Sequence, residues 1–154
     1  MLVTSISEDD IEHIVASPMA LIGSDGNCVA PYGQVGKGMP HPRFYGTFPR
    51  ILHHYVRERG ALPLELAIHK MTGATARALK FSDRGLLKPD YRADVAIFDP
   101  ADFRDRATYA DPHQFPSGAR TTVIVNGALV VENARHTEAL PGKVLRRGAG
   151  GAVS

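Results

Sequence analysis

The sequence predicts an α/β protein, and an unfinished one. Three observations carry this. Residues 1–23 read as strand, helix, strand with short connections, the pattern of a parallel, right-handed crossover unit. The second strand ends in Ser24-Asp25-Gly26 and opens into a loop of about twenty residues, rich in glycine and proline, a length more often functional than incidental. Beyond residue 80 the helical periodicity gives way to short β-branched runs around Asn126-Gly127, a strong signal for a tight hairpin.

The elements follow in order. Met1-Leu2-Val3-Thr4-Ser5-Ile6 is apolar and β-branched, as in a strand. Ser7-x-x-Asp10 then resembles a capping box, and Ile11, Ile14 and Val15 give the helix after it an apolar face, which Ser17-Pro18 closes. Met19 to Gly23 is the second strand. After the loop at 26–46, Phe48, Ile51, Leu52, Tyr55 and Val56 follow helical spacing, with Pro49 suited to the first turn and Gly60 to the position past the end. A further helix starts at Pro63 with Leu64, Ala67, Ile68 and Met71 on one face; Thr72-Gly73 interrupts it, and Ala74 to Leu79 continues. Ala93 to Phe98, Thr121 to Val125 and Ala128 to Glu132 are expected as strands. This divides the chain into an α/β half (1–80), a β-rich half (81–147) and a small, glycine-rich tail (148–154) expected to be mobile. Neither half is self-sufficient: two parallel strands cannot close an eight-stranded barrel, and a few short strands make a poor sandwich alone.

Composition excludes several classes of function. A hydrophobic content of 44% and a charged content of 22% are those of a globular domain, and a formal charge of +2, without a basic stripe, gives nucleic-acid binding no support. No apolar run approaches the roughly 20 residues that span a bilayer, so no membrane is expected. The one cysteine, Cys28, suits a reducing compartment, and the expected location is cytoplasmic.

Asp25 is the leading candidate for chemistry. A carboxylate at a strand tip can ligate a metal, or take a proton from water and return it to a leaving group. The same tripeptide also describes a plain turn, and by spacing alone Asp-Gly favours that reading. Arg43, in His41-Pro42-Arg43-Phe44-Tyr45, offers a planar fork for a carboxylate; a surface arginine without a partner fits the spacing equally well. His41 is a possible ligand, although one loop histidine makes no metal site. His53 and His54, about 100° apart on a helix, do not converge on one metal and are expected as solvated surface residues. Gly33-x-x-Gly36-Lys37-Gly38 lacks the spacing and the hydroxyl of a phosphate loop and reads as a flexible segment.

Several stretches in register resemble the C-terminal portion of the N-acyl-D-amino-acid deacylases (D-aminoacylases) of the metal-dependent amidohydrolase superfamily. They are Ile22 to Gly26, His41-Pro42-Arg43-x-Tyr45-Gly46-Thr47-Phe48-x-Arg50, Ala67-Ile68-x-Lys70-Met71-Thr72, Asp83-Arg84-Gly85, Ala93-Asp94-x-x-x-Phe98-Asp99-Pro100 and Val125-Asn126-Gly127. The resemblance implies that residues 1–80 hold the last two strands and the helices of a TIM-like barrel, and residues 81–147 the C-terminal share of a small β-sandwich. It implies a zinc-dependent hydrolase (Zn2+ polarising the acyl carbonyl and activating water) that cleaves N-acyl-D-amino acids to a carboxylate and a free D-amino acid. Asp25 matches the family's catalytic aspartate and is a weak or second-site metal ligand; Arg43 matches the arginine that holds the substrate's carboxylate, with Tyr45 and His41 beside it. The family's main metal ligands, its metal-binding cysteine included, have no counterpart here. The chain alone is therefore expected to be inactive and to need a missing N-terminal amidohydrolase segment or subunit. The alternatives are a non-catalytic remnant or obligate partner, and an amidohydrolase acting on cyclic amides.

Overall fold

A computed structural model describes residues 6–118 and 120–146. The expected first strand (1–6) falls almost wholly outside these residues, as does the tail at 148–154.

The first described element is helix α1, Glu8–Ala16, with the capping box in place: the Ser7 hydroxyl accepts from the Asp10 N–H, and the Asp10 carboxylate accepts from Ser7. Ser17 ends it before Pro18. The expected second strand, Met19–Gly23, does not form. Residues 20–27 have no ladder partner among the described residues, and no parallel pairing occurs there. A strand exists only when a neighbour accepts its N–H groups, so local sequence alone cannot make one.

The second helix begins earlier than its apolar periodicity suggests. Helix α2 spans Arg43–Arg50 and runs straight on through Ile51–Glu58, where the turns widen. Pro49 is therefore inside the helix and not in its first turn. Proline removes one rung and crowds the carbonyl four residues back, and the ladder loosens beyond it, with Arg59 N–H reaching His54 O. Phe48, expected on the buried face, is 43% exposed. Gly60, at φ +62°, ends the helix as expected. Helices α3 (Leu64–Met71) and α4 (Gly73–Ala78) follow, broken at Thr72.

Strands β1 (Val95–Ile97), β2 (Thr122–Val125), β3 (Ala128–Glu132) and β4 (Arg135–His136) form one antiparallel sheet in sequence order. Asn126 and Gly127 both have positive φ, as the expected type I′ turn requires. The Asn126 N–H donates to Asp94 Oδ1 at 2.7 Å, its side-chain amide donates to Pro141 O at 3.0 Å, and the Gly127 N–H donates to Ala93 O at 3.0 Å.

Val15, Ile51, Leu52, Tyr55, Leu62 and Ala67 form the core, and Phe98 and Phe103 from the β-rich half pack against it. Lys70 is buried as well, only 2% exposed, and burial lowers its pKa. Its ammonium donates to the carbonyls of Val15 and Ser17, capping the C-terminal end of α1 from α3. Asp83 binds Arg84 and Arg92, and Arg84 binds Asp94 at 3.0 Å, so two of the family-like stretches meet as one ion-pair network. Gly85, at φ +87°, passes so close to Ala76 that any Cβ would collide with its methyl.

Candidate functional site

The loop and the first turns of α2 bring the expected residues together. Asp25 sits at φ +49°, a left-handed conformation that aspartate tolerates better than most residues. The backbone bond of this turn is made by Ser24, whose Oγ accepts from the Gly26 N–H, so the Asp25 carboxylate is left to face outward. It is 85% exposed, and its Oδ2 lies 2.6 Å from Arg43 Nη2. Arg43 Nε also donates to the Asp25 carbonyl at 3.3 Å. The Arg43 guanidinium thus grips one residue eighteen positions away, at both its carboxylate and its carbonyl, with two of its five donors.

His41 is tied to the same turn. Its Nδ1 accepts from the Arg43 backbone N–H at 3.0 Å, and its Nε2 is 3.0 Å from the Tyr109 hydroxyl. Because Nδ1 accepts, the neutral ring carries its proton on Nε2 and donates to Tyr109. Partial burial, and then the Arg43 charge, hold its pKa below the usual histidine value. Tyr45 reaches His113: its hydroxyl is 3.3 Å from Nδ1, while His113 Nε2 donates to Gly38 O at 2.8 Å. Burial raises the Tyr45 phenol. Asp25, Arg43 and His41 therefore form one connected patch, while Tyr45, in the same turn of α2, turns its hydroxyl to His113.

Arg43 and His41 border a cleft of about 500 Å³, whose far wall includes Arg50, Asp105 and Tyr109. Asp25 is not among the lining residues. Gly46 allows the close approach of this wall, since a Cβ there would stand 3.2 Å from Asp105 Cβ.

The sequence reading missed Asp105, Tyr109 and His113. Their signal was the density of aromatic, histidine and acidic residues in the loop-like stretch 102–115, the same quality that drew attention to 41–50. His53 and His54 are half-buried and not solvated. Glu58 bridges them, at 3.2 Å from His53 Nε2 and 2.7 Å from His54 Nδ1, and Glu8 accepts from His54 at 3.0 Å. The Glu58 carboxylate one turn on in the helix pairs with both rings.

A tetrahedral zinc site needs at least three protein ligands. Among the described residues no group of three or more His, Cys, Asp or Glu side chains is placed to hold a metal ion. Asp25, with Arg43 on its carboxylate, does not fit zinc by itself. Nor is any helix among these residues long and apolar enough to cross a membrane.

Residues 10–131 match the amidohydrolase family, and the chain belongs to it. Within that family it is similar to deacylases of N-acyl-D-amino acids. It is 42% identical over 144 residues to a D-aminoacylase of Alcaligenes xylosoxydans xylosoxydans, covering 94% of this chain and 28% of that protein. An N-acyl-D-aspartate deacylase of the same organism is 41% identical over 143 residues, 93% of this chain and 27% of the relative. A D-aminoacylase crystal structure superposes with a TM-score of 0.77 at 42% identity, over 87% of this chain and 27% of that one. The N-acyl-D-glutamate deacylase of Bordetella bronchiseptica, solved with zinc and a phosphonate mimic of the tetrahedral intermediate, gives 0.71 at 40% identity, over 81% and 25%. The chain thus spans little more than a quarter of the length of these relatives.

Proposed function

We propose that this chain is the segment of a zinc-dependent N-acyl-D-amino-acid deacylase that carries the acid–base aspartate and the carboxylate clamp. The observation that carries the reading is the meeting of Asp25 with Arg43 at 2.6 Å, in a chain 42% identical to a D-aminoacylase. In this reading residues 1–80 belong to the end of a TIM-like barrel and 81–147 to a composite sandwich. The zinc is held by residues outside this chain, in a missing N-terminal segment or subunit. The compartment is cytoplasmic, which suits the exposed thiol of Cys28.

The roles follow from the donors and acceptors. Asp25 accepts a proton from the attacking water at a carboxylate oxygen, and it returns that proton to the amide nitrogen as the C–N bond breaks. The products are the acyl carboxylate and the free D-amino acid. Arg43 has donors left over from its contacts with Asp25, and these hold the substrate's own carboxylate. Tyr45 and His41 shape the turn that presents it.

The test combines this chain with an N-terminal amidohydrolase segment, zinc and an N-acetyl-D-amino acid. Turnover is expected in the mixture and not with the chain alone, and Asp25→Ala should abolish it. Arg43→Ala should raise KM by about tenfold or more, the value of a charged hydrogen bond of about 1.5–3 kcal/mol. An unchanged KM would favour cyclic amides, which have no free carboxylate to grip. Silence in the mixture would mean a non-catalytic role.

A further inference from the structure

One segment of the β-rich half touches His41, Tyr45, Gly46 and Gly38, the residues that surround the Asp25–Arg43 pair. Asp105 lies 3.7 Å from Arg50 and 3.9 Å from His53, and presses on Gly46. Tyr109 binds His41 through its hydroxyl and meets its ring edge-on, with centroids 5.1 Å apart. His113 binds Tyr45 with one ring nitrogen and the Gly38 carbonyl with the other. Phe115 packs edge-on against Tyr45 as well.

These contacts form a directed chain. Tyr109 receives the Nε2 proton of His41, which leaves Nδ1 bare; Nδ1 receives the backbone N–H of Arg43; and Arg43 is the first residue of α2. The Arg43 amide, at the start of α2, has no carbonyl one turn back within the helix, and the His41 ring nitrogen is the acceptor that satisfies it. At the other end His113 fastens Gly38, a loop residue at φ +85° with nothing within 4 Å of where a Cβ would be. The loop is therefore pinned near both its end and its turn into the helix, by residues more than sixty positions away.

The geometry points to Tyr109 as a positioning residue that holds the backbone of the Arg43 carboxylate clamp through His41, and to His113 as one that fixes the loop before it and Tyr45 in the same turn of α2. This rests on the deacylase reading for what Arg43 binds, but not for how Arg43 is held. The β-rich half then acts as a strap on the site and not only as a neighbouring module. A side chain pre-set by packing and hydrogen bonds loses less freedom when its ligand arrives, so the strap raises affinity without touching the ligand.

The test begins with the 154-residue chain. Long-range proton–nitrogen spectra should show His41 protonated on Nε2, with Nδ1 accepting. Tyr109→Phe keeps the ring and removes only the hydroxyl. It should shift the His41 Nε2 resonance and speed hydrogen exchange of the Arg43 amide by about threefold to tenfold, the range of one hydrogen bond. The Leu52 amide in the core should stay unchanged, which separates positioning from a general loss of stability. His113→Gln should release the Gly38 end of the loop in the same way. A His41 proton on Nδ1 in the unaltered chain, or Arg43 exchange indifferent to Tyr109→Phe, overturns the proposal.

Calorimetry with N-acetyl-D-leucine, run on the chain combined with the N-terminal amidohydrolase segment and zinc and carrying Asp25→Ala to stop turnover, separates this from the reading of function. Binding weakened about threefold to tenfold by Tyr109→Phe supports both. The expected His41 and Arg43 signatures with no binding of the probe would support the strap and overturn the deacylase reading.

Discussion

The helical core and the segment that leads into the site are both written in apolar residues, yet they end in opposite states. Between Ile51 and Ala67 the apolar side chains close on one another: Leu52, Tyr55, Leu62 and Ala67 are buried, with Val15 of α1 against them. Between Met19 and Met39 they mostly do not. Met19 is 92% exposed, Leu21, Tyr32, Val35 and Met39 are exposed too, and Ile22 is the side chain here that packs on the core. Hydrophobicity says that a segment seeks a partner; whether it is buried depends on the partner being there. The segment carrying Asp25 is one whose apolar residues are left facing outward, as are Leu87, Leu140 and Val144 further on.

The contrast can be broken most directly by truncation. Leu52→Ala should cost about 2–5 kcal/mol in urea denaturation of the chain, the range for a large side chain removed from a closed core. Met19→Ala should cost less than about 0.5 kcal/mol. If Met19→Ala proved as costly as Leu52→Ala, residues 19–39 would be packed in solution and the contrast would fail. Lys70→Met is expected next, at about 1.5–3 kcal/mol, because it leaves the Val15 and Ser17 carbonyls without their charged donor. A neutral result there would mean that α1 is held by its apolar contacts alone.

Acidification adds a small effect. Burial pushes the Glu8 carboxyl up, but hydrogen bonds from Tyr55 and His54, together with the Arg50 charge, outweigh it. The pKa therefore lies below its ordinary value near 4.5. The unfolded chain then binds the proton first, so this contribution is whole above the ordinary value and is lost as pH falls through the folded one. The carboxylate is well exposed, and the effect should stay under about 1 kcal/mol. Urea midpoints should fall less steeply on acidification in Glu8→Gln than in the unaltered chain.

What could be read in the sequence was local chemistry. The Ser7 capping box, the stop at Ser17-Pro18, the break at Thr72 and the Asn126-Gly127 turn all stand where the residues put them, because each depends on neighbours a few positions away. The strand at Met19–Gly23 was not settled by its own residues, since a ladder needs a second strand. Pro49 misled for a related reason: tolerance at a first turn does not prevent a helix from starting at Arg43 when His41 offers its ring to the amide. Asp25 and Arg43 were legible as separate candidates and in the order of the family pattern. Their pairing across eighteen residues, and the hold of Tyr109 and His113 on the loop across more than sixty, were not, because contacts at such separations leave no local period.

The hairpin turn has one more consequence, in the ageing of the protein. Asparagine followed by glycine is the pair most prone to lose its side-chain amide, when the glycine nitrogen attacks the asparagine side-chain carbon and ammonia leaves. Here that nitrogen is engaged with Ala93 O, and the departing amide group with Pro141 O. Both bonds must open before the ring can close. The slow mass gain at Asn126 during storage is then a clock for the release of this turn from Ala93 and Pro141, read by mass spectrometry without any label.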